Sequence, residues 1–540
     1  MIQRRLYIYI VAAASIAMVL IGLINLGSTA LNQLLNATPP YSNVRDAYAG
    51  FGAVILVGLP VWGVHWWLAQ RFAARTTDER ASAIRRLYLY IVLAATAIAL
   101  AVYLRRLIED ATGVLLASSS DGASITRALW AILVLAGFWL YHFRTAALDR
   151  TRVGESGVSA TLRRWYAYGL LFLGLAFLLF GARNLLQQIW VLLVDRGQVI
   201  APGGLVPTAQ ATMLTGLLIW GFHSQWTARS PIVEDDQRST LRAVQRFLAL
   251  TGCVALGLFG ASQLLYYILA RLLGIEHPGG VATNILVALA SPVATVIIFG
   301  LAWLWIQRQL AADAGATEAS RQAGVRHLYT HLVAFLALGT LAIGSAGLLW
   351  TLSDQIVNSL LAHPLNDWRD KVSLFVTLVV VGAPMWFTHW RQSPDLAERY
   401  TLSRRLYLYA TLLGSVLAAL ISGAIFVYRL LALLLGTSDA AGGAPVIDMG
   451  RAMSVILVAA AIGLYHWRVL RADSAARPAI TPIAAVPSPV SGEGARQIPS
   501  PVYGGGQGGG VVITITGATQ EQIRQALSKL PDGADYTIRP

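Results

Sequence analysis

Apolar residues fall along this chain in long runs parted by short polar stretches, and each run approaches the ~20 residues that a helix needs to cross a bilayer. The pattern predicts twelve helices, at about 6–35, 50–70, 87–108, 127–145, 165–193, 210–227, 246–273, 290–309, 327–357, 371–391, 406–435 and 451–470. Thirty helical residues from Leu6 to Leu35 make a rod of about 45 Å against roughly 30 Å of hydrocarbon. The longer helices should therefore tilt or protrude.

Every second run opens on the same polar and aromatic signature. It reads Arg4-Arg5-Leu6-Tyr7-Ile8-Tyr9, Arg85-Arg86-Leu87-Tyr88-Leu89-Tyr90, Arg163-Arg164-Trp165-Tyr166-Ala167-Tyr168 and Arg404-Arg405-Leu406-Tyr407-Leu408-Tyr409. Two further copies are altered, Arg326-His327-Leu328-Tyr329-Thr330-His331 and the degenerate Gln245-Arg246-Phe247-Leu248-Ala249-Leu250. Each start is followed by a loop and a second apolar run, so the repeat is a helical hairpin.

The returning helices come in two alternating kinds. Hairpins one, three and five carry Trp62 with His65, Trp220 with His223, and Trp386 with His389. Hairpins two and six carry Trp139-Leu140-Tyr141-His142 and Tyr465-His466, with Arg two residues and Asp seven residues beyond the histidine, at Asp149 and Asp473. Hairpin four keeps Asp313 but has Ile306 where the histidine would stand. Starts of one kind recur every 159 to 163 residues, which groups the chain into three four-helix units, 1–160, 161–322 and 323–473. A rival division into two halves of six spans uses a start spacing of 241 residues, but it superposes a Pro-Trp-His helix on an Ile-Gln-Arg helix.

Composition agrees with the pattern: 56% of residues are hydrophobic and 13% charged, the balance of an integral membrane protein. The formal charge of +14 raises a nucleic-acid reading, which the placement of the charge removes. Of 41 Lys and Arg, 26 lie at the N-terminus, in the connectors between hairpins or after the last span, and 11 lie in the loops inside hairpins. By the positive-inside rule both termini are cytoplasmic, and the expected site is the plasma (inner) membrane. The first run is too long for a cleavable signal and reads as a retained span. Cys253 is the single cysteine, so neither an intramolecular disulfide nor a cysteine metal site is expected.

Past Asp473 the composition changes. Residues 474–510 are rich in Pro and Gly and read as a flexible linker. Residues 511–540 predict a small β-α-β module, with a strand at Val511 to Thr516, a helix opened by the capping pair Thr519 and Gln522, and a second strand at Asp535 to Ile538. At this size it should dock on a cytosolic partner or another copy.

The candidate site residues are the repeated interfacial histidines and tryptophans: His65, His142, His223, His389 and His466, with Trp62, Trp139, Trp220 and Trp386. Trp and Tyr anchor helices at membrane interfaces, and polar groups near a helix C-terminus complement its dipole. Anchoring is the expected role; a shared ligand or proton site, or a haem or metal site, is the alternative. The start-motif arginines should snorkel to the interface and fix topology, with anionic lipid or phosphate binding as the alternative. No ionisable residue is expected at the midplane, where Asn25, Gln187 and Gln263 are the main polar groups. Walker, dinucleotide, nucleophile-elbow and His-Glu-x-x-His motifs are absent, so no catalytic, cofactor or metal residue is named.

Taken as a set, the Arg-Arg-Leu-Tyr starts and the Trp or Tyr near a terminal His resemble a bacterial family of multi-pass membrane domains of unknown function, over residues 1 to about 473. The resemblance implies no activity. The expected fold is an all-α polytopic membrane protein of about twelve spans with a small β-α-β tail. Three roles fit it: a non-catalytic sensor or assembly platform, a channel or facilitator for an uncharged or anionic solute, and a membrane redox or lipid enzyme using the histidines.

Overall fold

The computed structural model describes residues 2–37, 43–115, 122–194, 206–229, 239–278, 284–314, 320–360, 368–390, 399, 401–436 and 444–475. The chain divides into Met1–Arg477 and Pro478–Pro540. The expected β-α-β module and nearly all of the linker lie outside the described residues. Among the described residues there is no strand.

The described residues form twelve long helices: α1 Ile2–Leu34, α2 Val44–Arg75, α3 Ala83–Leu115, α4 Gly122–Val153, α5 Gly157–Val194, α6 Val206–Arg229, α7 Thr240–Leu272, α8 Ile285–Ala314, α9 Ser320–Leu360, α10 Trp368–His389, α11 Leu402–Leu435 and α12 Ala444–Ala475. A one-turn helix, Thr77–Arg80, precedes α3. Nearly all of the twelve overrun the apolar stretches that announce them, because hydropathy marks only the part facing hydrocarbon while the polar flanking turns continue the same hydrogen-bond ladder. Local caps set some of the ends. Asn43 accepts from the Arg45 backbone N–H at 3.1 Å before α2, Thr401 does the same for Arg404 before α11, and Gly436 closes α11 at a φ of 63° that suits glycine.

Eleven of these helices are long and apolar enough to cross a membrane. The twelfth, α6, falls short of that apolarity because Gln210, Thr212, Thr215, His223, Ser224 and Gln225 dilute its 24 residues, yet it packs along α5 as the returning helix of its hairpin. Large apolar side chains cover the outside of the bundle, for example Leu56, Val57, Leu420 and Ile421, all exposed. Such a surface is suited to lipid rather than water. The chain is a membrane protein.

Consecutive helices pair as antiparallel hairpins, α1 with α2 through α11 with α12. Neighbouring hairpins join by one rule: the leading helix of each packs on the returning helix of the next, α1 on α4, α3 on α6, α5 on α8, α7 on α10 and α9 on α12. The buried clusters gather towards the start-motif end of these junctions, around Tyr9, Trp66, Tyr88 and Tyr166 in the first hairpins and around Trp386, Trp390, Tyr407 and Val469 in the last.

Candidate functional site

At the junction of the first two hairpins, three helices are tied through one hydroxyl. Tyr88, three residues into the start motif of α3, receives the indole N–H of Trp62 on α2 at 3.3 Å and faces His142 Nε2 on α4 at 3.4 Å. His142 Nδ1 lies 2.8 Å from the Phe138 carbonyl one turn back. A carbonyl only accepts, so Nδ1 carries the hydrogen and Nε2 accepts a hydrogen bond from the Tyr88 hydroxyl. The chain of donors runs Trp62 to Tyr88 to His142 to backbone, and the histidine is completely buried. Beside it the Trp66 indole donates to Tyr141 at 2.6 Å.

An ion pair lies next to this relay. Arg85, 1% exposed, donates through Nε to Asp149 Oδ2 at 2.7 Å, and its other nitrogens reach Gln70 at 2.9 Å and the Tyr9 hydroxyl at 3.4 Å. The guanidinium lies over the Trp66 ring, 5.6 Å from its centre. The spacing follows from helix geometry. Arg85 sits one turn before Tyr88 and Asp149 two turns after His142, so on antiparallel helices the two pairs stack on facing sides. The difference in rise, about 6 Å, is taken up by the length of the arginine side chain.

The last junction repeats the arrangement. Trp386 donates to Tyr407 at 3.0 Å, Tyr407 to His466 Nε2 at 3.0 Å, and His466 Nδ1 to the Ile462 carbonyl at 2.8 Å. Trp390 donates to Tyr465 at 2.9 Å, and Arg404 to Asp473 at 2.7 Å, with Arg404 4.7 Å above the Trp390 ring. Between hairpins two and three the relay recurs as Trp139 to Tyr166 at 3.1 Å and Tyr166 to His223 at 3.2 Å. There the charge partner is Glu155 of the connector, 2.9 Å from Arg163 and 3.6 Å from Arg86, and it also accepts from Tyr90 at 2.6 Å. Tyrosine and histidine come from one hairpin, and tryptophan from the hairpin before it.

The histidines therefore do not share a pocket: His142, His223 and His466 are each held by a different tyrosine. His65 lies 2.8 Å from the Val61 carbonyl and 3.4 Å from the Tyr7 hydroxyl on an exposed edge. His389 lies half-buried with Tyr329, ring centres 6.3 Å apart. Trp220 has lost its tyrosine and packs edge-on against Trp305 at 5.7 Å. No three His, Cys, Asp or Glu side chains converge on a metal position among the described residues.

The start-motif arginines correct the sequence reading. Snorkelling to an interface leaves a guanidinium exposed, yet Arg85, Arg86, Arg163 and Arg404 are among the largest fully buried side chains. Neighbouring helices and connectors bring Asp149, Glu155 and Asp473 to them, which hydropathy along one run cannot reveal. Buried Glu79 also pairs with Arg4 and Arg5, at 3.3 and 2.8 Å, although Arg4 itself stays exposed. The relay tyrosines were missed as well. Their signal is the tyrosine three residues after the first arginine in the intact starts.

No curated protein and no solved structure matches the chain. The family described as a domain of unknown function, DUF5671, matches residues 5–141, 164–287, 247–341 and 327–461. Each match begins within a start motif. Together the four cover most of the sequence, and the chain belongs to this family.

Proposed function

We propose that the chain is a non-catalytic membrane platform, a sensor or assembly scaffold, whose tethered segment 511–540 docks a cytosolic partner or a second copy. The observation that supports this is the closed wiring of the buried histidines. A redox or lipid-modifying centre built on the histidine row needs a ring nitrogen open to a metal or a substrate. In His142, His223 and His466 one ring nitrogen is held by a backbone carbonyl and the other by a tyrosine hydroxyl. Such a group fastens three helices together.

The repeat is read as three units, 1–160, 161–322 and 323–473; the matching Arg85–Asp149 and Arg404–Asp473 pairs of the first and third favour that grouping. The excess of arginine at the start-motif ends supports reading them, and both termini, as lying at the cytoplasmic face of the plasma (inner) membrane. A fluorescent protein fused after Arg477 should then fluoresce, and alkaline phosphatase inserted between α1 and α2 should be active; the reverse pattern would invert the orientation.

The platform role is tested by deleting residues 478–540. Insertion and yield should be unchanged, while self-association or co-purification of a cytosolic protein, read by crosslinking and light scattering, should be lost. If association survives the deletion intact, the tail has no docking role and this reading fails.

A further inference from the structure

The first and last junctions share the relay and the ion pair but differ farther along their helices. With the start motifs and the relay histidines in register, Leu20 and Ile24 of α1 correspond to Ala342 and Ala346 of α9, and Leu135 of α4 to Ala459 of α12. At the first junction those three large side chains pack in one buried cluster with Ala131. At the last, the three alanines line a cavity of about 380 Å³ between α9, α11 and α12, within the range of small-ligand sites. The exchange runs the other way at the ends. Ala13 and Ser28 correspond to Phe335 and Trp350, and these two rings bound the cavity along α9.

Depth, lining and shape each restrict what can fill it. The cavity starts one turn beyond His331, whose ring lies 5.8 Å from that of the relay tyrosine Tyr407, and the lining stretches of α9, α11 and α12 carry no charged residue. All three helices are long and apolar enough to span a membrane, which sets the cavity at hydrocarbon depth. Apart from Thr411, Ser415 and the Trp350 indole, the described lining residues are apolar. Ser415 spends its hydroxyl on the Thr411 carbonyl at 2.8 Å and Trp350 its N–H on Asp354 at 3.1 Å. Cavities with apolar walls stay dry and take apolar guests. Phe335 and Trp350 are fifteen residues apart, about 22 Å at the helical rise. Spread over that length, the volume leaves a section of about 17 Å². A helix with its side chains needs roughly 80–110 Å², whereas one extended hydrocarbon chain fits. The way in is lateral: Phe335 and Ile343 are exposed at the rim on α9, and a Cβ added at Gly339 of α9 or Gly414 of α11 would meet open space.

We propose that this cavity is a lipid-binding site that takes one acyl chain of a membrane phospholipid, entering from the bilayer between α9 and α11. The guest occupies the volume that Leu20, Ile24 and Leu135 fill at the first junction. One end of the membrane unit is closed by its own side chains, and the other is completed by lipid.

The test reconstitutes the full chain in vesicles of dioleoyl phosphatidylcholine with a trace of phosphatidylcholine bearing a diazirine midway along one acyl chain. Photo-adducts are mapped by peptide mass spectrometry. They should concentrate on the α9, α11 and α12 peptides that line the cavity and be sparse on those holding Leu20, Ile24 and Leu135. Ala342→Leu, Ala346→Ile and Ala459→Leu combined restore the packing of the first junction. Labelling of the cavity should then fall by about tenfold or more, since even one methylene in an apolar pocket is worth that much. If the triple variant fails to fold, Gly414→Leu at the mouth decides. Adducts spread evenly over both junctions, or wild-type labelling in every folded variant, overturn the proposal. So does displacement of the label by farnesol at the probe's own concentration, which assigns the cavity to an isoprenoid, or crosslinks to a second copy of the chain in place of lipid. Residues 478–540 take no part in the site, so its failure and that of the platform reading are distinguishable.

Discussion

Asp149 holds a guanidinium that has almost no contact with solvent, and the cost of losing it follows from that. Removing one partner of a buried pair leaves a charge without compensation, at about 3–5 kcal/mol, whereas replacing both by apolar groups of similar size is often neutral. Asp149→Ala should therefore destabilise the protein by roughly that amount, and Arg85→Met with Asp149→Leu should recover most of it. Denaturant unfolding in detergent, run as a double-mutant cycle, reads the coupling directly; an additive cycle would show that the pair contributes nothing. The relay beside it is weaker but more exacting. Tyr88→Phe keeps the ring and strands both the Trp62 N–H and His142 Nε2, for about 1–2 kcal/mol by the scale of bonds inside membrane helices. His142→Ala should cost no less, since it also removes a buried ring.

At the scale of helices the least apolar element depends most on its partner. In α6, a Cβ added at Gly216 would stand 2.7 Å from the Gly174 carbonyl oxygen of α5 and would collide with the backbone N–H of Leu178. Backbones this close gain packing that lipid cannot offer, which lets a helix with glutamine, threonine and histidine along its length stay in the bundle. Gly216→Ala should force α5 and α6 apart and lower stability by about 1–3 kcal/mol, the range for overpacking. Gly221→Ala, in open space on the same helix, should be tolerated, and thermal melts of the two variants compare them. Helices of this kind were legible in the sequence because apolar runs report burial in hydrocarbon whatever the tertiary contacts. The site was half legible. Trp62 and His142 were marked by repetition, but the hydroxyl joining them belongs to Tyr88 in a motif that looked like an anchor. Asp149 was visible as a residue seven places past a histidine. Its partner Arg85 lies 64 residues earlier, and no period within a single helix connects the two.

Across the whole membrane unit, energy is laid down junction by junction. Each hairpin packs chiefly on its sequence neighbours, as in repeat proteins whose stability is a sum of unit and nearest-neighbour contributions. The Arg85–Asp149 and Arg404–Asp473 pairs belong to the first and last junctions and share no helix. Their losses should then add. Asp149→Ala and Asp473→Ala combined should equal the sum of the single effects within about 0.5 kcal/mol, the tolerance for independent sites. A chain of separately fastened hairpins should also open in parts. Hydrogen exchange on Asp149→Ala should rise in α3 and α4 while α11 and α12 keep wild-type protection, and Asp473→Ala should give the opposite map. A uniform rise along all twelve helices would mean that the bundle unfolds as one cooperative block, with the junction fasteners acting together instead of one at a time.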